Sequence, residues 1–461
     1  MTSEFPSVVT DTSGSRYELG AVLGRGGQGA VLQVRGRPLA VKLSDAATAT
    51  ARRRVQEAIA RVKRLPLDGL HVARPLRALN APHVGYVMEL MTGMQPLSRL
   101  SRVPTDAAGD FVPWYLETGG LRRRLRLLAH TGEVLGGLHA RGLCYGDTSP
   151  SNVFVSEDMD ATETWLIDCD NVTSGVSRRS IYTPGYAAPE LFRSRGSDSL
   201  TDAWSFAVIV FEALCVLHPF VGDEVHDGEP ELEDTAFRGE LPWVDDPSGT
   251  NEASRGLPRD MVLTPDLAAL AARCFGDSRV DRLQRPGVSS WTEKLHRAAD
   301  QALVCPECTG SYYLTSRACP WCEAPRPGFA LASVYLRDPA LTDPSRNPFH
   351  LVCRVPGKPR PVQRLAIAES KQTALGHRIL RGTPDEAPLV ELTTSSHRLS
   401  VRGSAGMEWV LRHKTGRELP LAGKTEHLDL SAGGRSWWLL PASSSTLHRA
   451  LSFEWIPAVQ P

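Results

Sequence analysis

Two hydrophobic periods divide the first 300 residues of this 461-residue chain, and the change from one to the other constrains its fold more than any single motif. Residues 17–43 alternate apolar and polar side chains in short runs broken by glycines, and residues 71–91 do the same; both are patterns of strands. Between them, residues 47–64 place Val55, Ile59 and Val62 on one stripe, the spacing of an amphipathic helix. Helical spacing then dominates to about residue 300, in LRRRLRLLAHTGEVLGGLHARG, LTDAWSFAVIVFEALCVL, TPDLAALAARCF and SSWTEKLHRAADQAL. A strand-rich lobe followed by a helix-rich lobe predicts an α+β, bilobal domain. Within it, residues 222–260 are acidic and rich in Gly and Pro and read as a surface loop. Residues 1–15 are polar and read as a disordered leader.

Beyond residue 300 the cysteines take over the argument. Four of the nine lie in CPECTGSYYLTSRACPWC, at Cys305, Cys308, Cys319 and Cys322. Each CxxC pair offers two thiolates to one tetrahedral Zn2+, and four sulfurs leave no position for water, so the expected site is structural. Two knuckles around a short β-like stretch fit a zinc ribbon over 301–325 better than a redox pair. The other five cysteines, Cys144, Cys169, Cys215, Cys274 and Cys353, sit among apolar neighbours as small hydrophobes, and no secreted disulfide framework is implied. Residues 326–461 carry short β-like runs (HLVCRV, VELTT, HRLSVRG, EWVLRH, SWWLLP, LSFEWI) between turn residues, which predicts a small β-sandwich or barrel.

Lys+Arg and Asp+Glu both total 52, so charge implies no polyanionic partner, and nucleic acid is not expected. The start, MTSEFPSVVTDTSGS, lacks the basic and apolar regions of a signal peptide. The longest apolar run, FAVIVFEALCVL, is too short to span a bilayer and carries Glu212. A cytoplasmic protein without membrane contact is expected.

The chemistry-bearing stretches lie in the first 300 residues. LGRGGQGAV places Gly24, Gly26 and Gly29 in a GxGxxG pattern, which lets backbone amides approach phosphate oxygens; a plain hairpin turn has the same glycines. The chain runs on into further strands and not a helix, which rejects a dinucleotide site. LAVKLS ends a strand near Lys42. Glu57 is the one acidic residue in 46–67; it is either a partner for Lys42 or a surface residue among arginines. YGDTSPSN sets Asp147 five residues before Asn152, and TETWLIDCDN ends an apolar run at Asp168.

Taken in order with TPGYAAPEL and RLQRPG, these motifs resemble the eukaryotic-like serine/threonine protein kinase superfamily over residues 16–300, with lobes at 16–91 and 92–300. The resemblance implies ATP with Mg2+ (or Mn2+), and protein substrates. It implies that Asp147 accepts the substrate hydroxyl proton, that Asn152 and Asp168 bind the metal, that Lys42 holds the α- and β-phosphates and that Glu57 orients it. Leu23, Val31 and Ala40 would pack on the purine. YVMELM would be the hinge, with Met88 as gatekeeper and Glu89 and Met91 in the adenine-reading segment. Glu190 and Arg285 would form a buried ion pair, and Asp202 would brace the catalytic loop.

The chain departs from the family at several points. Tyr145-Gly146-Asp147 stands for His-Arg-Asp, which removes the cation that meets an activation-loop phosphate. Activity is therefore expected not to need phosphorylation of Thr173, Ser174, Ser177, Ser180 or Thr183 by that route. Ser149 replaces a lysine that contacts the γ-phosphate. Asp168-Cys169-Asp170 stands for Asp-Phe-Gly, with a smaller residue between the lobes and a stiffer third position. Gly146-Asp147 with Ile167-Asp168 also resembles aminoglycoside and choline kinases, which lack the Ala-Pro-Glu segment that is intact here. A nucleotide-binding pseudokinase is a further alternative. YGDTSPSN and LIDCDN beside a zinc ribbon resemble bacterial kinases encoded with a von Willebrand A protein and a phosphatase in tellurium-resistance-type clusters, which implies those two partners. ALGHRIL, TTSSHRLSVRG, EWVLRHKTGR and LDLSAGG resemble forkhead-associated domains, although Gly376-His377 stands for their usual Gly-Arg; a generic β-sandwich used for docking is the alternative.

Overall fold

The computed structural model describes residues 5–26, 29–107, 109–175, 182–193, 195–341, 349–353, 359–369, 371–383, 387–404, 408–431 and 434–460. It divides into two compact units. One takes Met1–Gly119 and Arg123–His296, the other Gly120–Arg122 and Arg297–Pro461.

The first unit begins with a six-stranded antiparallel sheet. Its strands are β1 (Val8–Thr10), β2 (Arg16–Gly26), β3 (Gly29–Val34), β4 (Leu39–Ser44), β5 (Arg77–Ala78) and β6 (Gly85–Glu89), in the order β1-β2-β3-β4-β6-β5. Helix α1 (Ala49–Val62) follows β4, with the Thr48 hydroxyl accepting from Ala51 N as its N-cap. Strand alternation sorts β4 onto two faces. Val41 and Leu43 join a core with Val9, Tyr17, Leu19, Leu32 and Val87. Ala40 on the other face packs with Ile59 of α1, Tyr86 and Met88. Lys42 shares the Ala40 face by the same period of two, so the strand that fills the core also aims the lysine away from it.

The leader expected to be disordered is partly a strand. Val8–Thr10 pairs with Arg16–Glu18, and the turn is closed on Asp11, which is fully buried. Its carboxylate accepts from Ser13 N, Ser15 N and the Tyr17 hydroxyl, so a polar composition here serves a turn and not a free tail.

The helical lobe is built on α2 (Gly120–Ala140) and α3 (Ser199–Cys215). In α3 all side chains but Ser199, Leu200 and Glu212 are buried, which explains its unbroken apolar run. Asp198 caps it in a reciprocal box with Thr201. The segment 222–260, expected as loop, contains helices at Asp223–Asp227, Pro230–Phe237 and Arg259–Val262. Pro230 at the first helical position and Glu231 and Glu233 in the first turn favour a helix start, so the residues that suggested a loop work as a cap. Among the described residues no helix is long and apolar enough to cross a membrane.

In the second unit Ala302–Val304 pairs with Ser311–Tyr313. A six-stranded sheet runs in the order Gln363–Ile367, Phe329–Arg337, His448–Ile456, Trp437–Pro441, Trp409–His413, Glu418–Pro420. A four-stranded sheet runs Thr373–Gly376, Pro388–Ser395, Arg398–Gly403, Thr425–Asp429. Val334, Leu439 and Phe453 of the first share one core with Leu375, Val390, Leu399 and Leu428 of the second.

Candidate active site

Short ribbons of the helical lobe position the polar loop. Strands β7 (Met94–Pro96), β8 (Leu143–Cys144), β9 (Val153–Ser156), β10 (Thr164–Leu166) and β11 (Thr173–Ser174) form two small sheets, β10-β9-β7 and β11-β8. Residues 145–152 bridge β8 and β9. Pairing of Val153 with Leu166 sets Asn152 beside Ile167, whose N–H donates to Asn152 O at 3.0 Å. One residue on, Asp168 turns the chain with φ 55°. The local hairpin thus draws Asp147, Asn152 and Asp168 into one place.

The loop itself hangs from a buried carboxylate. Asp202 in α3 accepts from Tyr145 N at 2.7 Å, from Gly146 N at 2.9 Å and from the Thr148 hydroxyl at 3.1 Å. His139 Nε2 lies 3.0 Å from it. Burial alone would raise this carboxyl, but the His139 bond and the two loop amides outweigh it and hold it below its ordinary value. Asn152 Nδ2 donates to Asp147 O and, at 3.2 Å, to Asp147 Oδ2. The Thr183 hydroxyl donates to Asp147 Oδ1 at 2.9 Å. Asp147 therefore faces the cleft with its orientation fixed from both sides.

Across the cleft, Lys42 Nζ donates to Asp168 Oδ1 and, at 2.7 Å, to Asp170 Oδ2. Burial would lower this ammonium, yet Asp170 and Asp168 hold it above its ordinary value and therefore charged. Glu57 corrects an expectation. It lies two residues before buried Ile59, roughly 200° around the helix, and is 62% exposed in an ion pair with Arg53. It does not meet Lys42. Arg61, one turn on, donates instead to Asp170 O at 2.9 Å.

Above the lysine, β2 and β3 close a hairpin whose last described pair is Gly26 with Gly29. Gly29 has φ +139° and a Cβ there would fall 1.9 Å from Leu43 O, so only glycine fits. A Cβ on Gly24 or Gly26 would meet nothing within 4 Å, which leaves room for phosphate oxygens over the cleft. Ala40 and Met88 are buried as direct cross-strand partners, Val31 is half-buried, and Leu23 is 50% exposed at the rim. Glu89 ends β6 and is exposed, Leu90 N donates to Pro38 O, and Met91 is half-buried. An apolar slot beside open glycines, an ammonium and the oxygens of Asn152 and Asp168 fits a magnesium-bound nucleotide.

A profile of the protein kinase domain matches residues 17–290, more than half of the chain. The chain belongs to the protein kinase domain family. Its first unit carries that bilobal fold. Among curated proteins it is similar to CBL-interacting protein kinase 4 of Oryza sativa subsp. japonica, 32% identical over 254 residues, covering 50% of this chain and 51% of the relative. It is also similar to the DNA damage-responsive serine/threonine-protein kinase RqkA of Deinococcus radiodurans, 29% identical over 220 residues, covering 45% and 31%. The chain spans about half, or less, of the length of these relatives.

The kinase domain holds further residues together. Arg285 Nη1 and Nη2 donate to Glu190 at 2.7 and 3.1 Å, with the guanidinium side chain 0% exposed. Removing one partner of such a pair strands a buried charge, so Glu190→Gln is expected to cost about 3 kcal/mol or more. Urea unfolding followed by tryptophan fluorescence would read this, because Arg285 stacks 4.9 Å from the Trp204 ring; a loss below about 1 kcal/mol would place the pair among surface bridges. Cys169, in the position of the family's Phe, is buried and its thiol donates to Ala73 O at 3.1 Å. Of the five possible phosphoacceptors, Ser177 and Ser180 lie outside the described residues. Read from sequence, Asp170 stands only as a stiffer third position of its triplet and Thr183 only as an acceptor; neither Asp170 nor Arg61 is given a role beside Lys42.

In the second unit Cys305, Cys308, Cys319 and Cys322 have their sulfurs within 4.8 Å of one another. Cys305–Cys322 and Cys308–Cys319 are 3.6 Å apart, close to the roughly 3.8 Å expected of tetrahedral ligands at about 2.3 Å from Zn2+. The two knuckles repeat each other: Thr309 N donates to Cys305 O and Glu323 N to Cys319 O, each from a residue with φ 60°. The cluster is compatible with zinc.

Proposed function

We propose that the chain is an ATP-dependent serine/threonine protein kinase that transfers the γ-phosphoryl group of Mg-ATP to protein hydroxyls, its own included. The observation that carries this is a charged Lys42 tied to Asp168, facing an Asp147 that Asn152 and Thr183 hold in place. Lys42 would hold the phosphates, Asn152 and Asp168 the metal, and Asp147 would take the acceptor's proton. Bound Mg2+ would neutralise charge that develops on the transferring phosphoryl group. A protein acceptor is favoured over a small alcohol because the segment carrying Thr183 is anchored: Tyr186 O accepts from the Ser205 hydroxyl at 2.6 Å. The names of the relatives agree: one is a protein kinase of a plant, the other a serine/threonine-protein kinase of a bacterium.

We further propose that the four cysteines bind one structural Zn2+ as a zinc ribbon, and that the two sheets beyond it form a β-sandwich, possessing the forkhead-associated-like stretches and serving to dock protein partners. A von Willebrand A protein and a phosphatase are proposed partners from the resemblance of YGDTSPSN and LIDCDN to bacterial kinases of that gene neighbourhood, and a cytoplasmic setting follows from dependence on ATP.

The test is transfer of label from Mg-[γ-32P]ATP, offered a mixture of proteins alongside aminoglycosides and choline. Label on serine and threonine of protein, this chain included, is expected. Label confined to the small alcohols would make it a small-molecule phosphotransferase, and ATP binding without label on either would make it a pseudokinase.

A further inference from the structure

The lysine of the cleft needs a fixed anion, since a flexible four-carbon stem does not by itself keep an ammonium at one point. Helix α1 is poorly suited to supply one. It has no acid in its first turn, and its single carboxylate, Glu57, is 62% exposed and bonded to Arg53 at 2.9 Å. The last turn of the helix offers a cation instead, the exposed Arg61, whose Nη2 donates to the backbone carbonyl of Asp170. Asp170 in turn points its carboxylate at Lys42 Nζ, at 2.7 Å, with its side chain only 14% exposed. The roles of helix and loop are thus exchanged: the helix holds the loop by an arginine, and the loop holds the lysine by a carboxylate.

We infer that Asp170, and not Glu57, is the positioning residue for Lys42, and that Arg61 docks the Asp170 segment against α1. This rests on reading the cleft as an ATP site. Asp168 also touches the lysine, but it is the residue proposed to turn to the metal when nucleotide binds, and it cannot serve both fully. Asp170 is then the anion that stays with the ammonium. The arrangement explains why a residue other than glycine can occupy the third position of the triplet: its backbone is needed by Arg61 and its side chain by Lys42. It also places the lysine's orientation under control of the Asp168–Asp170 turn and makes it independent of the Glu57 face of the helix.

The experiment is a double-mutant cycle between Asp170→Asn and Lys42→Met, read both in kcat/KM for Mg-ATP and in affinity for Mg-AMP-PNP. Asp170→Asn is expected to lower kcat/KM by about 10- to 100-fold, the scale of a lost charge-assisted hydrogen bond. In the Lys42→Met background the same change is expected to cost less than about 2-fold, because Asp170 then has no ammonium to position. Asp170→Glu, which keeps the carboxylate, should recover part of the loss, and Glu57→Gln should leave kcat/KM within about 2-fold of wild type. Full additivity of the two substitutions would overturn the inference, as would a large loss in Glu57→Gln. A defect in Asp170→Asn that persists without Lys42 and is relieved by raised Mg2+ would make Asp170 a metal ligand instead. If wild type transfers no phosphate, the kinase reading fails separately, and the same cycle is still decided by AMP-PNP affinity: an effect of Asp170→Asn that vanishes in Lys42→Met supports the positioning role, and an unchanged effect refutes it.

Discussion

Asp147→Asn is expected to lower kcat for phosphoryl transfer by about 10³-fold, within the range that a positioned general base supplies, while affinity for Mg-AMP-PNP changes little. The substitution keeps the shape of the side chain, and its amide oxygen can still accept from Thr183 or Asn152, which donate to the two carboxylate oxygens in the native protein. The loop also keeps its anchorage on Asp202, which bonds to residues 145, 146 and 148 and not to Asp147. What disappears is the charge that takes up the acceptor proton. Burial raises the Asp147 carboxyl above its ordinary value, against the lowering effect of the Thr183 bond. The sign of the pH dependence follows: activity should fall as pH drops through this raised value, because the protonated acid cannot accept a proton. The acid limb of kcat/KM should therefore lie above about 3.9, the value of a free Asp side chain. Single-turnover transfer of label at a series of pH values would show both effects. A variant retaining more than about a tenth of wild-type kcat would remove Asp147 from the role of base.

The parts of this site that could be read from sequence are those whose geometry is local. Asp147 and Asn152 lie within one loop, and Asn152 reaches Asp168 through a hairpin whose register is set by Val153 and Leu166, so their linear spacing already encodes their meeting. Gly29 is legible through the GxGxxG pattern, but the structure gives it another reason, the close approach of Leu43 O in the neighbouring strand, which admits no side chain. The partner of Lys42 was not legible. Asp170 is 128 positions away, and no spacing along α1 points to it, whereas the pairing of Glu57 with Arg53, four residues earlier on the same stripe, is one that helical spacing allows. The presence of Arg61 one turn beyond Glu57 was the available signal, since a cation there is incompatible with a lysine as the helix's intended partner. The first strand failed for a related reason. Val8 and Val9 are a two-residue apolar run in polar surroundings, and their pairing is decided by the Asp11 turn, which composition cannot show.

Zinc removal should have the largest effect on the second unit. The stretch from Ala302 to Tyr313 has two strands of three residues each, far below what holds a hairpin together in water. Its apolar cluster is small: Leu303, Tyr312 and Leu314 with Cys305 and Cys319, resting on Phe329 and Leu331 of the six-stranded sheet. Hydrophobic burial on that scale cannot offset the order imposed on two cysteine knuckles, each with a non-glycine residue at φ 60°. A tetrahedral Zn2+ can, since structural sites of this type contribute about 10 kcal/mol or more to folding. Elemental analysis of purified protein should therefore give one zinc per chain. Cys319→Ser, which removes a buried thiol of the proposed site, should lose the metal and open the 302–326 segment to limited proteolysis, with the exposed Cys322→Ser doing the same to a lesser degree. Because Phe329 and Leu331 belong both to this cluster and to a strand of the larger sheet, the loss should also lower the unfolding temperature of the β unit. The sulfurs at 3.6 Å stand well beyond the roughly 2.05 Å of a disulfide, so oxidation is not an equivalent staple without movement of the knuckles. Metal-free protein whose ribbon resists protease as well as the wild type would show that packing alone suffices, and the four thiols would need another explanation.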